Sequence, residues 1–130
     1  MQNDYDSSVK FERDLPAGRN AFTGYGEGYV EVNRARYVAS LVVSGERLVD
    51  DWPVRSVADI TPESLQAILA MKPEVVLLGT GATFAFPEPR ALAPLAKSGV
   101  GLESMDTAAA CRTYNILLAE GRNVVAALIL

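Results

Sequence analysis

A chain of 130 residues with 49% hydrophobic and 22% charged residues has the size and composition of one domain that buries a core without disulfides or structural metal. A formal charge of −4, with twelve basic residues scattered along the sequence, argues against nucleic acid as a partner, because binding a phosphate backbone relies on clustered Lys and Arg. The absence of histidine excludes a Ser-His-Asp or Cys-His centre and a zinc site of the usual kind, and a single cysteine forms no internal disulfide, which suits a reducing cytoplasm.

The opening MQNDYDSSVKFERD is polar and mixed in charge. It carries neither an apolar h-region nor a small-residue cleavage site, so no secretory or transit peptide is expected and the mature chain is read as beginning here. Residues 1–21 are read as a polar tail and 22–130 as one α/β domain. The longest apolar runs, Val75 to Leu78 and Val124 to Leu130, fall far short of the roughly 20 residues that a spanning helix needs, so no membrane insertion is expected.

FTGYGEGYVEVN reads as irregular chain leading into a short strand. Its glycines Gly24, Gly26 and Gly28 suggest a phosphate loop only superficially, since no helix follows to supply amides and a dipole. RYVASLVVSGERLVDDW predicts a hairpin, Tyr37 to Val43 against Arg47 to Asp51, around a turn at Ser44, Gly45 and Glu46. Asp50 and Asp51 point to opposite faces of a strand and are read as surface residues rather than a carboxylate pair. ITPESLQAILAMKP predicts a helix with Thr61 as N-cap, Pro62 at its first position, Pro73 as its stop, and Leu65, Ile68 and Leu69 as its buried stripe. Val75 to Leu78 has no polar alternation, the pattern of a strand covered on both faces, and it ends in Gly79, Thr80 and Gly81, where open α/β sheets tend to bind ligands. PEPRALAPLAK, from Pro87 to Lys97, reads as a short helix that Pro89 and Pro94 start or bend, and a short strand follows from Gly99 toward Met105. Asp106 or Thr107 caps a final helix to about Glu120, Gly121 stops it, and Val124 to Leu130 is a central strand. The fold class is therefore α/β: a central mixed sheet backed by helices, with an additional hairpin.

In the final helix, a 100° projection puts Ala109, Ala110, Thr113, Tyr114, Ile116, Leu117 and Leu118 on the buried face and Ala108, Cys111, Arg112, Asn115 and Ala119 on the other. The alanines let the helix start approach the strand ends. Gly79, Thr80, Gly81, Asp106, Thr107, Cys111, Arg112 and Asn115 thus form a candidate ligand site, a crevice suited to a small anion through free amides, a helix dipole and the Arg112 fork. Cys111 lacks any histidine to take its proton, so no catalytic residue is assigned. Its plainer reading is a small, partly buried helix residue covered by Arg112 and Asn115.

Taken together, LLGTG at Leu77 to Gly81, the Pro87 to Gly99 segment, GLESMDTAAACRTYNILLAEGR at Gly101 to Arg122 and the terminal VVAALIL resemble one family over Phe22 to Leu130. It includes mitochondrial complex I assembly factor 3, an adipogenesis-associated cytosolic protein, and stand-alone bacterial and archaeal members. The resemblance implies a compact α/β fold without established enzymatic activity and a role in membrane-complex biogenesis through protein partners; separately, no cofactor or metal is expected. Its strongest motifs lie at Gly79, Thr80, Gly81, Glu103, Met105, Thr107, Thr113, Tyr114, Asn115 and Arg122. Two functional readings stay open: a non-enzymatic cytoplasmic assembly module with an unidentified protein partner, and a small-anion or small-molecule binder or weak enzyme using Gly79 to Gly81 and the helix start. An exposed hairpin edge leaves room for a homo-oligomer.

Overall fold

Apolar residues on both faces of a strand require cover on both sides, and a five-stranded mixed sheet provides it at the centre of the computed structural model, which describes residues 8–11 and 18–130. The polar segment 1–21 lies in large part outside those residues. A first sheet is an antiparallel meander: β1 (Val9–Lys10), β2 (Phe22–Gly26), β3 (Tyr29–Val32) and β4 (Ala35–Tyr37). The second contains β5 (Leu41–Ser44), β6 (Leu48–Val49), β7 (Val75–Gly79), β8 (Gly101–Met105) and β9 (Val124–Leu128) in the order β6-β5-β9-β7-β8. Strand β7 runs parallel to both β8 and β9, whereas β5 runs antiparallel to β9. The terminal apolar run is thus a central strand.

Alternation along these strands divides the interior in two. Leu41, Val43, Leu77, Ala126 and Leu128 face a core shared with Phe22, Val30 and Val32 of the meander and with α3 (Thr107–Ala119). Val42, Val76, Leu78, Val125 and Ala127 face a second core closed by Trp52, Val54, Leu65, Ile68 and Leu95. That side also carries α1 (Gln66–Leu69) and α2 (Ala93–Lys97).

Several local readings shift. FTGYGEGYVEVN is paired β-structure, with Phe22 opposite Val32 and Gly26 opposite Tyr29. The hairpin's first arm begins at Leu41, because Tyr37 pairs with Val30 in the other sheet. Only Gln66–Leu69 of the Thr61 to Pro73 segment is α-helical. There, Ser64 Oγ donates to Thr61 O at 2.8 Å and accepts from Thr61 N at 3.0 Å, so local side-chain bonds hold turns where the helical ladder was expected. In α2, Pro94 stands in the first turn, where its missing N–H removes no bond, after a 3-10 turn at Pro89–Leu92.

Helix α3 has the ends its sequence specifies. Asp106 Oδ1 accepts from Ala109 N at 2.8 Å, and Gly121 sits at φ 81° past the last turn. Its orientation differs from the projection: Thr107, Ala110, Cys111, Tyr114, Asn115 and Leu118 are buried, and Ile116 is 57% exposed. Alanines weigh little on either side of a helical projection. The choice is made instead by a buried bonding partner for Asn115, which lets a polar residue face inward.

The α3 start lies directly over β7. A Cβ on Gly79 would fall 2.8 Å from Leu128 Cδ2, 2.9 Å from Thr107 Oγ1 and 3.0 Å from Thr107 Cα, so no side chain fits beneath the helix. Gly79→Ala is expected to cost about 1–3 kcal/mol by overpacking, whereas Gly101→Ala, whose nearest neighbour would be 3.6 Å away, should cost far less. Chemical denaturation of both variants checks this, and equal losses would refute a specific close approach at Gly79.

Candidate functional site

The Gly79 to Gly81 turn and the start of α3 do meet, through Thr107. Its N–H donates to Gly81 O at 2.9 Å, its Oγ1 accepts from Gly81 N at 2.9 Å, and the same hydroxyl donates to Ile129 O at 2.7 Å. Thr80 N donates to Met105 O at 2.8 Å, and Ala109 and Ala110 N–H groups go to Asp106. These amides, which the sequence suggests as anion donors, are engaged within the protein. Thr80 Oγ1 donates to Thr83 O at 3.2 Å and accepts from Ala85 N at 3.0 Å, holding the loop beyond the turn.

Beside this junction runs a groove of about 490 Å³ between Gly81, Thr107 and Ala108 on one side and the Tyr25 to Tyr29 hairpin on the other. Gly79 lies beneath the helix. Arg112 is exposed and donates to the Tyr25 hydroxyl at 2.6 Å, so it braces one wall of the groove. Glu27 is part of the lining and the α3 cap is a carboxylate, which disfavours a small anion and favours an uncharged or partly apolar guest. The hairpin wall has no signal in the sequence beyond its glycine and tyrosine alternation, because nothing local indicates that it folds over α3.

Cys111 and Asn115 belong to the core. The cysteine is fully buried, and burial pushes its thiol well above the ordinary 9.0. Asn115 clamps the edge of β2, its Oδ1 accepting from Phe22 N at 2.9 Å and its Nδ2 donating to Phe22 O at 2.8 Å. Tyr114 adds an edge-to-face contact with Phe22 at 5.0 Å between centroids, and its hydroxyl donates to Asn20 O at 2.8 Å. Among the described residues no cluster of three or more His, Cys, Asp or Glu is placed to hold a metal ion, and no helix is long and apolar enough to cross a membrane.

The family described as protein of unknown function (DUF498/DUF598) matches residues 22–129. The chain belongs to this family. Within it, a 13 kDa major membrane protein of Francisella tularensis subsp. holarctica is 32% identical over 104 residues, 79% of this chain and 85% of its own length. NADH dehydrogenase (ubiquinone) 1 alpha subcomplex assembly factor 3 of Xenopus tropicalis is 33% identical over 123 residues, 93% of this chain but 66% of its own. This chain therefore spans less than two thirds of that relative. A crystal structure of a Bordetella parapertussis protein superposes with a TM-score of 0.81 at 48% identity, covering 88% of this chain and 98% of that one.

Asn115→Ala leaves the buried N–H and C=O of Phe22 without partners, and is expected to cost about 2–4 kcal/mol in urea denaturation. A loss below about 0.5 kcal/mol would mean that the meander docks by apolar contact alone. Cys111 and Tyr114 stay protonated in the folded chain, since burial raises both, while the unfolded chain ionises near 9.0 and 10.0. The unfolded state then binds fewer protons, so stability is unchanged below that window and falls as pH rises through it. Denaturation midpoints across the window check the slope, and native Cys111 should resist alkylation until the chain unfolds. Modification at the rate of a free thiol would contradict its burial.

Proposed function

We propose that the protein is a non-enzymatic interaction module, acting in the cytoplasm to support assembly of a larger membrane-associated complex. The observation that carries this reading is how the Gly79 to Gly81 turn is used. Its polar groups bond internally, and the loop that Thr80 secures presents Phe84 and Phe86, the latter 85% exposed, stacked edge to face at 4.6 Å. Paired aromatics held in water by a fixed loop suit recognition of a protein surface, where rigid rings add contact area at little entropic cost. Relatives named as an assembly factor and as a membrane protein support the same direction.

A second reading uses the groove between Gly81, Thr107 and the Tyr25 to Tyr29 hairpin, whose volume of about 490 Å³ accommodates a small molecule. Here Gly81 and Thr107 line the site, and Arg112 acts through Tyr25. A thermal-shift panel of uncharged and anionic metabolites tests it, and a flat response rejects it.

For the favoured reading, photo-crosslinking from the exposed position 88, beside the aromatic pair, in the native host should capture a specific partner. Capture should survive Cys111→Ala and disappear in the folded Phe84→Ser/Phe86→Ser variant. Crosslinking that persists in the double variant, or finds no specific partner, would sink it.

A further inference from the structure

Four of the twelve basic residues scattered through the sequence are gathered in space. At the end of the five-stranded sheet opposite the Gly79 turn, a groove of about 430 Å³ runs between the β5–β6 turn, the residues after α1 and the α3–β9 connection. Arg19, Arg47, Lys72 and Arg122 line it, with Glu46 as the one lining carboxylate. Neighbours place the three arginines. Arg19 lies over Gly45, where a Cβ would collide with its guanidinium, so the glycine makes room for the charge. Arg47 Nη1 donates to Ala70 O at 3.4 Å and leaves the rest of its fork unused by that bond. Arg122 Nε lies 3.4 Å from Glu74 Oε1.

Lys72 is the least ordinary of the four. Its backbone is left-handed at φ 52°, a conformation in which glycine or asparagine is the less costly residue, and Asn123 Nδ2 donates to its carbonyl from across the sheet end.

Counting charges sets the kind of guest. Glu74 answers Arg122, and among the described residues Glu46 is left to face Arg19, Arg47 and Lys72. The excess of two positive charges matches a dianion. Two guanidinium forks and an ammonium suit the several equivalent oxygens of a phosphate better than a single carboxylate. We propose that this groove is a binding site for a phosphate-bearing anion, with Arg19, Arg47 and Lys72 as its ligands. The site is separate from the aromatic loop and from the groove at Thr107, and it stands whether or not the assembly reading holds.

Pyrophosphate titrated into the isotope-labelled full chain should give saturable shifts at the Gly45 and Gly121 amides that weaken with added salt. Lys72→Glu should reduce affinity at least about tenfold, Arg47→Lys, which keeps the charge and loses the fork, should reduce it by a smaller factor, and Lys97→Glu, on α2, should leave it unchanged. The wild-type map needs no variant to fold. Shifts that do not saturate, that fall outside the groove or that persist in folded Lys72→Glu would overturn the site. Citrate binding as tightly as pyrophosphate would overturn the phosphate assignment. Comparing glycerol phosphate with vesicles containing phosphatidic acid separates a free phosphoester from a lipid headgroup, and binding to either upholds the phosphate chemistry.

Discussion

Thr107 is the junction from which the rest of the fold hangs. One residue joins the turn after β7, the first turn of α3 and the residue after β9, using its N–H, and its hydroxyl as both acceptor and donor. Valine would keep the shape of that side chain and lose two of the three bonds, with Gly81 N–H and Ile129 C=O left inside the structure. The junction also requires Gly79, because the hydroxyl and Cα of Thr107 occupy the space that a side chain at 79 would fill. GTG and the threonine after Asp106 are thus two halves of one device, 26 residues apart in the chain.

With α3 fixed at its start, its middle turn carries the second sheet. Asn115 meets Phe22 as a neighbouring strand would, giving and taking one bond each, while Tyr114 covers the ring of Phe22 and reaches Asn20. Asn20 in turn donates to Ser44 O and Arg47 O, so the same network reaches the β5–β6 turn. Among the described residues no buried side-chain nitrogen or oxygen lacks a partner. The TYN stretch behind the family resemblance is therefore explained in large part by architecture: with Arg112 on Tyr25, it is how the helix holds the meander.

What could be read in the sequence was whatever local chemistry decides. Continuous apolar runs identified β7 and β9, because a strand buried on both faces needs no polar alternation. Asp106 and Gly121 marked the ends of α3 for the same reason. The meander was missed because glycines lower the strand signal of FTGYG, and the interaction that fixes it lies 93 residues away in Asn115. The inward face of α3 was read in part, with Ala110, Tyr114 and Leu118 on it, and its rotation toward Cys111 and Asn115 was not, since an asparagine counts as polar until its partner is known. At the Gly79 turn, sequence indicated the place but not the use. Free amides and bonded amides look identical in one dimension, and only the position of Thr107 distinguishes them.

That distinction bears on where function can reside. A strand end whose amides are free offers a ready-made anion site, but here the α3 start closes it and Glu27 lines the groove beside it. Positive charge is concentrated at the other end of the sheet, around Gly45 and Lys72, where no motif announces it. Surface features of this kind depend on turns, and turns vary more readily than the packed elements they join. The Bordetella parapertussis protein shares the fold, with a TM-score of 0.81. In this chain the aromatic pair and the basic groove sit on turns beyond opposite ends of β7, so the packed sheet separates an apolar surface from a positively charged one.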